Sequence, residues 1–187
     1  MIQISVAERQ ILFAEDVKES FESITLGLEG ITNLNHNTFN QYWDPAYGGK
    51  ISIETPFYYG TIHSGVELYP FNGKNESYPD FFSAYFFLGW SKDIQVVSGI
   101  HWYGGLRVGS YRMSFDDDEI NETQVVESEL GFGLDSWLKL DISSAWAIHC
   151  RFCYLVVYTK KHLEFTMFSA GFSYTFDSPQ WFKEFLK

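Results

Sequence analysis

Hydrophobic and polar side chains alternate with a period of two along most of the chain. This is the pattern of β-strands whose two faces meet different surroundings. It predicts about eight strands and almost no helix. We expect the strands at residues 21–33, 46–57, 59–71, 81–91, 94–115, 124–140, 142–158 and 163–176. Short polar segments separate them, so the predicted fold class is all-β with consecutive antiparallel strands.

From Gly60 onward, the even-numbered positions of these strands form one apolar face. It includes Ile62, Phe86, Trp90, Ile100, Trp102, Leu106, Val108, Phe132, Trp146, Ile148, Phe152, Phe172 and Tyr174. The opposite face is polar and rich in glycine. Together with the first two strands, it supplies the candidate site residues Glu29, Lys50, Glu54, His63, Glu67, His101, Arg107, Glu127, Glu129, Asp135, His149 and Arg151.

Alternation alone does not say which face points into a closed barrel. A soluble lipocalin-like barrel is apolar inside, whereas a membrane barrel is apolar outside. Side-chain volume decides, because an eight-stranded barrel has little interior space and the apolar face carries several Trp and Phe residues per pair of strands. The sequence therefore predicts that Arg107 points into the barrel and Trp102 toward lipid. Trp90, Trp137, Trp146 and Tyr174 are also expected outside the barrel or at its rims.

The connections between the predicted strands alternate in length. Long segments such as NLNHNTFNQYWDPAY and SFDDDEINETQ alternate with short ones such as SKD and KLD. Outer-membrane barrels have long external loops and short periplasmic turns in this order. Residues 21–176 thus resemble the small eight-stranded outer-membrane barrels of the OmpA/OmpX type. Their final strand, GFSYTF, is similar to the aromatic-ended strand that such proteins present to the outer-membrane assembly machinery. The resemblance implies an up-and-down transmembrane β-barrel in the bacterial outer membrane.

The two ends of the chain lie outside this predicted barrel. Residues 1–20 are expected to form an N-terminal periplasmic segment. They lack the basic start and apolar run of a signal peptide, so an outer-membrane location requires that the signal has been removed. No run reaches 18 apolar residues, so no transmembrane helix is predicted. We expect residues 177–187 to form a short C-terminal helix at the membrane interface, capped by Ser178 with Pro179 at its first position.

Charge and cysteine content narrow the possible chemistry. The formal net charge is -11, with 24 acidic and 13 basic residues, so the basic surface that nucleic-acid binding requires is not expected. Cys150 and Cys153 stand three positions apart on one predicted strand, which sends their side chains to opposite faces. Neither a disulfide nor a zinc site is therefore expected. The acidic run at residues 116–119 is interpreted as a solvated loop, with calcium binding as the alternative.

Enzymatic activity is a rival hypothesis, because eight-stranded barrels include lipid A deacylases and palmitoyltransferases. The resemblance implies that such a deacylase would use a His and a Ser two positions apart on one strand face. No His-x-Ser occurs in this chain, and the adjacent His63 and Ser64 should point to opposite faces. The sequence therefore predicts no enzyme, no cofactor and no metal.

Buried charges must be paired, so the inward polar residues predict a salt-bridge network that plugs the barrel. A proton- or cation-responsive interior is the functional alternative, because acids outnumber fixed bases and histidines titrate near neutral pH. The loops at residues 33–46 and 72–80, with Tyr42, Trp43 and Tyr78, are the candidates for contact with a protein or surface partner.

The predicted function is that of a non-enzymatic outer-membrane barrel. It would act through its external loops or as a structural membrane component, surrounded by outer-membrane lipid and monomeric. The alternatives are a narrow ion channel, a lipid A-modifying enzyme and a soluble lipocalin-like ligand binder.

Overall fold

The computed structural model describes residues 20–35, 38–75, 77–115, 125–160 and 162–185. Nine strands follow one another along the chain. Their bounds are β1 Ser23–Asn33, β2 Trp43–Pro45, β3 Gly48–Phe57, β4 Gly60–Gly73, β5 Phe81–Val97, β6 Ile100–Phe115, β7 Val125–Asp141, β8 Trp146–Val157 and β9 Leu163–Asp177. A 3-10 helix, Thr38–Gln41, precedes β2, and a short helix α1, Gln180–Phe185, follows β9. The predicted all-β class is confirmed.

Eight of these strands close into an antiparallel up-and-down barrel. In the order of pairing they are β4, β3, β1, β9, β8, β7, β6 and β5, and the pairing of β4 with β5 completes the ring. The first and last strands meet along Ser23↔Asp177 to Asn33↔Met167. The remaining strand, β2, is a three-residue addition that pairs with the end of β4. The eight-stranded ring agrees with the sequence prediction.

One end of the barrel carries only short turns, at residues 58–59, 98–99 and 142–145, together with the first and last described residues. We call this the short-turn end. The opposite, long-loop end carries the connections at residues 34–47, 74–80, 116–124 and 158–162; positions 116–124 lie outside the described residues. The predicted calcium alternative at residues 116–119 therefore also lies outside the described residues.

Two predicted turns are displaced. The segment SKD, at residues 91–93, was expected to end a strand, but it lies within β5, and the chain reverses at Ser98 and Gly99. Gly99 has a φ of 77°, a left-handed conformation that glycine adopts without steric cost. The segment KLD, at residues 139–141, similarly ends β7, and the turn follows at residues 142–145. Lysine and aspartate are common in turns, but here both segments continue the strand alternation.

The alternation of exposure along the strands confirms which face points outward. Large apolar side chains are exposed all around the wall, among them Leu28, Ile51, Phe86, Leu88, Leu106, Val108, Leu130, Leu134, Ile148, Phe152 and Phe172. Trp90, Trp102, Trp146 and Tyr174 also point outward, as predicted. None of the helices in the described part of the chain is long and apolar enough to cross a membrane.

Candidate functional site

Arg107 of β6 lies at the centre of the polar part of the barrel interior. Its guanidinium donates to both carboxylate oxygens of Glu67 on β4, with the Nη2–Oε2 distance at 3.0 Å. Its Nε lies 3.6 Å from Oδ1 of Asp135 on β7, and its Nη2 contacts the Cys153 sulfur. A bidentate pair of this kind fixes geometry as well as charge. Arg107, on β6, therefore contacts side chains of three other strands across the lumen.

Arg151 and Lys50 extend this pairing toward the other strands. Arg151 Nη2 lies 2.9 Å from Oε1 of Glu54 and 3.7 Å from Oε1 of Glu29. Lys50 Nζ lies 3.3 Å from Oε1 of Glu29 and 3.6 Å from Oε1 of Glu67. Glu29 also accepts a hydrogen bond from the Ser169 hydroxyl. Arg151 and Lys50 thus each lie close to at least two carboxylates. Such pairing offsets the cost of removing charged groups from water.

Two histidines complete the group. His63 Nε2 lies 3.5 Å from Oδ2 of Asp135, and His149 Nε2 lies 3.2 Å from Oε1 of Glu29. We call the assembled set the ion cluster. Its members are Glu29, Lys50, Glu54, His63, Glu67, Arg107, Asp135, His149 and Arg151. Four carboxylates thus face three permanent cations and two titratable histidines.

Aromatic rings lie under both guanidinium groups. Arg151 lies 4.0 Å from the ring centre of Trp137, and Trp137 stacks on Tyr103 at 4.7 Å with an interplanar angle of 3°. Arg107 lies 4.9 Å from the Phe87 ring. Such contacts attract a desolvated cation to the ring face. They place rigid aromatic groups around the ion cluster.

The prediction for Trp137 was wrong. We expected this indole outside the barrel or at its rim, but it is 2% exposed and lies in the lumen beneath Arg151. Its position explains the difference, because Trp137 is odd-numbered and shares the inward face of β7 with Asp135. The chemical preference of Trp for membrane interfaces was given more weight than the alternation of the strand.

Three predicted site residues do not join the ion cluster. His101 lies near the short-turn end, where its Nε2 is 3.5 Å from Oδ2 of Asp141. Glu127 and Glu129 lie on β7 toward the long-loop end, and neither forms an ion pair with a described residue. This part of β7 extends beyond the ring, because pairing with β8 ends at Gly131↔Val157. Glu127 is consequently exposed to solvent.

The long-loop half of the interior is filled by apolar and aromatic side chains. The buried members are Ile31, Phe39, Tyr69, Phe71, Phe81, Tyr85, Phe87, Tyr111, Met113, Cys153, Leu155, Val157, Phe165 and Met167. We call this set the aromatic layer. The volume argument from the sequence assigned Trp and Phe residues to the outside and did not predict this layer. Odd numbering in these strands was the signal that could have found this layer. Inward-facing, odd-numbered positions like those of Glu67 and Arg107 are also occupied by Tyr69, Phe71, Tyr85, Phe87 and Tyr111.

Loop residues close the barrel at the long-loop end. Phe39, from the 3-10 helix, packs edge-on against Phe71 at 5.3 Å and stacks on Trp43 at 5.1 Å. Trp43 in turn contacts Tyr78, and Tyr42 lies 4.9 Å from Tyr78. The three aromatic residues selected from the loop sequences are therefore brought together. We call Tyr42, Trp43 and Tyr78 the loop aromatic group.

At the short-turn end, the lumen begins as a polar depression of about 300 Å³ whose lining includes Glu54, Tyr103 and Lys139. His63 is fully buried in the lumen, whereas Ser64 lies on the outer wall and lines a groove there. The pair therefore has no nucleophile–base contact. The described residues also contain no group of three or more His, Cys, Asp or Glu side chains suited to hold a metal ion.

No protein-family model matches the sequence, and a search of curated proteins gives no match either. Solved structures do match in fold. Neisserial surface protein A superimposes with a TM-score of 0.61 at 10% identity, covering 82% of this chain and 96% of that one. OprG from Pseudomonas aeruginosa gives 0.55 at 10% identity, covering 85% of this chain and 98% of that one.

A third match is Ail, the attachment invasion locus protein of Yersinia pestis, in complex with the heparin analogue sucrose octasulfate. It gives a TM-score of 0.53 at 13% identity, covering 84% of this chain and 99% of that one. Sequence identity this low defines the fold and nothing finer. The eight-stranded ring, its apolar outer wall and these matches together identify the fold as that of the small outer-membrane β-barrels.

Proposed function

We propose that this protein is a non-enzymatic outer-membrane barrel with a plugged lumen, which acts through its long-loop end or as a structural component of the membrane. The observation that carries the proposal is that buried side chains occupy the interior between the polar depression at the short-turn end and the loops at the long-loop end. The ion cluster occupies one half and the aromatic layer the other. What remains available for interaction is the outer wall, the loops and the polar depression.

The outer wall supports a location in the bacterial outer membrane. Leu106, Val108 and Leu134 are each about half exposed, and a soluble protein would leave this apolar surface in water. A band of this kind, bordered by outward Trp and Tyr residues, is typical of barrels that face lipid. The same wall disfavours the soluble lipocalin-like alternative, which requires an apolar interior and a polar surface.

The filled interior disfavours the narrow-channel alternative. A solute entering from the short-turn end would meet Glu54, which lines the polar depression and pairs with Arg151. Beyond the ion cluster it would meet Tyr85, Tyr111 and Leu155, which are at most 1% exposed. Conduction therefore requires rearrangement of two chemically different barriers.

Planar-bilayer recording tests the proposal. Wild-type protein, refolded and shown to be barrel-shaped by its heat-modifiable migration on gels, should give no sustained current. Brief small openings are compatible with a plugged barrel whose side chains fluctuate. Sustained conductance of the size given by porins would contradict it. A porin of known conductance, recorded under the same conditions, provides the control for sensitivity.

The loop aromatic group is the surface that we assign to external contacts. Trp43 is held in place because its indole NH donates to the Pro79 carbonyl at 3.0 Å and its backbone pairs with β4. Asp44 and Lys74 form an exposed ion pair beside it, at 3.0 Å. Rigid Tyr and Trp side chains supply contact area at small entropic cost, which favours recognition.

A further inference from the structure

The polar depression at the short-turn end is a built cavity that the plugged interior does not use. Its volume of about 300 Å³ is in the range of pockets that hold small molecules. Carboxylate and hydroxyl side chains form most of its lining. The short turns beside it face the periplasm in outer-membrane barrels. A solute on that side would reach the depression without passing through the ion cluster.

The charges of the lining favour a cationic ligand. Among the described residues that line the depression, the carboxylates of Glu22, Glu54 and Asp177 outnumber the single ammonium group of Lys139. Lys139 Nζ lies 4.0 Å from Oδ1 of Asp141, which offsets its charge. Glu22 and Asp177 are exposed at the rim, whereas the Glu54 side chain is 12% exposed and lies deeper. The negative groups therefore occupy two levels, one at the rim and one inside.

Tyr103 adds a second, independent indication of a ligand. It is 6% exposed and yet lines the depression. Its hydroxyl forms no hydrogen bond with any residue that the structure describes. A polar group in a largely buried position costs free energy unless it gains a partner. A ligand that donates a hydrogen bond to this hydroxyl would supply the partner.

A series of contacts fixes the inner side of the depression. The Tyr103 ring stacks on Trp137 at 4.7 Å, and Trp137 lies 4.0 Å from the Arg151 guanidinium. Arg151 in turn donates to Oε1 of Glu54 at 2.9 Å. The other carboxylate oxygen of Glu54, Oε2, has no hydrogen-bond or ion-pair partner among the described residues. Two acceptors, the Tyr103 hydroxyl and Glu54 Oε2, are thus held in position in advance, which lowers the entropic cost of binding.

We propose that the depression binds an aliphatic diamine in its doubly protonated form. The inner ammonium group donates to Oε2 of Glu54 and to the Tyr103 hydroxyl, and the outer one pairs with Glu22 and Asp177. Charge-assisted hydrogen bonds of this kind are stronger than neutral ones. The methylene chain between the two ends contacts Pro56, an apolar residue of the lining. A bare metal ion fits less well, because the described residues contain no group of three or more side chains suited to hold one.

Isothermal titration calorimetry with 1,4-diaminobutane tests the site on the folded barrel in a non-ionic detergent. Wild-type protein should bind the diamine saturably and more tightly than butylamine, which has one ammonium group. Tyr103→Phe keeps the ring on Trp137 and removes one hydrogen bond, so affinity should fall about tenfold. Glu22→Gln combined with Asp177→Asn should abolish most of the preference for the diamine over butylamine.

Glu127→Gln combined with Glu129→Gln is the matched control, because it removes two charges at the long-loop end and should leave diamine binding unchanged. Equal weakening by the two double variants would overturn the site by attributing binding to net charge. Equal affinity for butylamine and the diamine, tighter binding of Mg²⁺, or no saturable heat would also overturn it. Heat-modifiable migration establishes that each variant has folded, and the rim substitutions, at exposed positions, test the site even where Tyr103→Phe does not fold. The titration is independent of the conductance measurement, so the site and the plugged lumen can fail separately.

Discussion

The two halves of the barrel interior solve the same packing problem with opposite chemistry. On the short-turn side, nine titratable or charged residues fill the lumen by pairing with one another. On the long-loop side, the same inward register of the same strands is filled by aromatic and aliphatic side chains. β4 illustrates the change, because His63 and Glu67 point inward and are followed, at alternate positions, by Tyr69 and Phe71. Strand alternation thus fixes the direction of a side chain and leaves its polarity free.

This difference in chemistry implies that the two halves are stabilised by different interactions. Burial of the aromatic layer removes apolar surface from water, a gain that is spread over many contacts. The ion cluster must first overcome the desolvation of its charges, and it depends on every partner being present. The halves meet at Arg107, which pairs with Glu67 and also lies over the rings of Tyr85 and Phe87. Damage to the ion cluster should therefore be more severe and more easily rescued than damage to the aromatic layer.

The largest effect is expected for Arg107→Leu. The change leaves the buried carboxylates of Glu67 and Asp135 without their principal cation, and breaking a buried pair in this way costs about 3–5 kcal/mol. The free energy of unfolding would be measured by urea titration of the barrel in lipid vesicles, with tryptophan fluorescence as the signal.

A second substitution distinguishes lost pairing from lost packing. Glu67→Gln, combined with Arg107→Leu, removes one of the stranded charges and should recover part of the stability. If the double variant is as unstable as the sum of its single changes, the guanidinium contributes mainly through its packing on Phe87, and the contrast between the two halves is weaker than we infer.

The alternating pattern of the sequence predicts which side chains point into the barrel, but it does not predict which of them pair. Strand alternation places Arg107, Glu67 and Asp135 on one face, the volume argument turns that face inward, and all three are buried in the structure. The partners of each charge do not follow, because they depend on the register between strands that are distant in sequence. Arg151 and Glu54, for example, are separated by 97 positions and meet across the lumen at 2.9 Å.

The aromatic layer was missed for a different reason. The sequence argument treated the lumen as uniform in width and assigned Trp and Phe residues to the outside. The structure instead fits Tyr85 and Leu155 against Gly131, and Arg107 against Gly133, on the inward face of β7. The volume of the inward side chains has to be compared with the space available at each level along the barrel axis. That balance requires the strand register, which a single sequence does not provide. The same limitation placed Glu127 inside the barrel, although the end of β7 extends beyond it.

An intermediate effect is expected for Leu155→Ala in the aromatic layer. Leu155 is fully buried, and its truncation leaves a cavity that costs about 3 kcal/mol. Because no charge is stranded, no second substitution of a polar partner should rescue it. The same urea titration measures the loss.

Leu134→Ala is the matched control for that variant. Leu134 lies on the outer wall and is 49% exposed. Lipid tails are as apolar as leucine and can occupy the vacated space, so the loss should be about 1 kcal/mol or less. Equal losses for the inner and outer leucines would indicate that the aromatic layer is not closely packed.

The smallest effect is expected at the rim, where His101→Leu isolates the influence of burial on an ion pair. His101 and Asp141 are separated by 3.5 Å, but 19% and 38% of their side-chain surfaces are exposed, and an exposed pair contributes about 0.5 kcal/mol or less.

His149→Leu is the buried counterpart, since His149 and Glu29 lie 3.2 Å apart with side-chain exposures of 5% and 0%. Glu29 retains Lys50 and Ser169 as partners, so the loss there should be partial, about 1–2 kcal/mol. Unfolding of both variants is measured at two salt concentrations and at a pH low enough to protonate free histidine, because salt screens exposed ion pairs more strongly than buried ones. Similar losses and similar salt dependence would show that burial does not distinguish the ion cluster from the rim, and they would remove the physical basis for treating the lumen as two distinct layers.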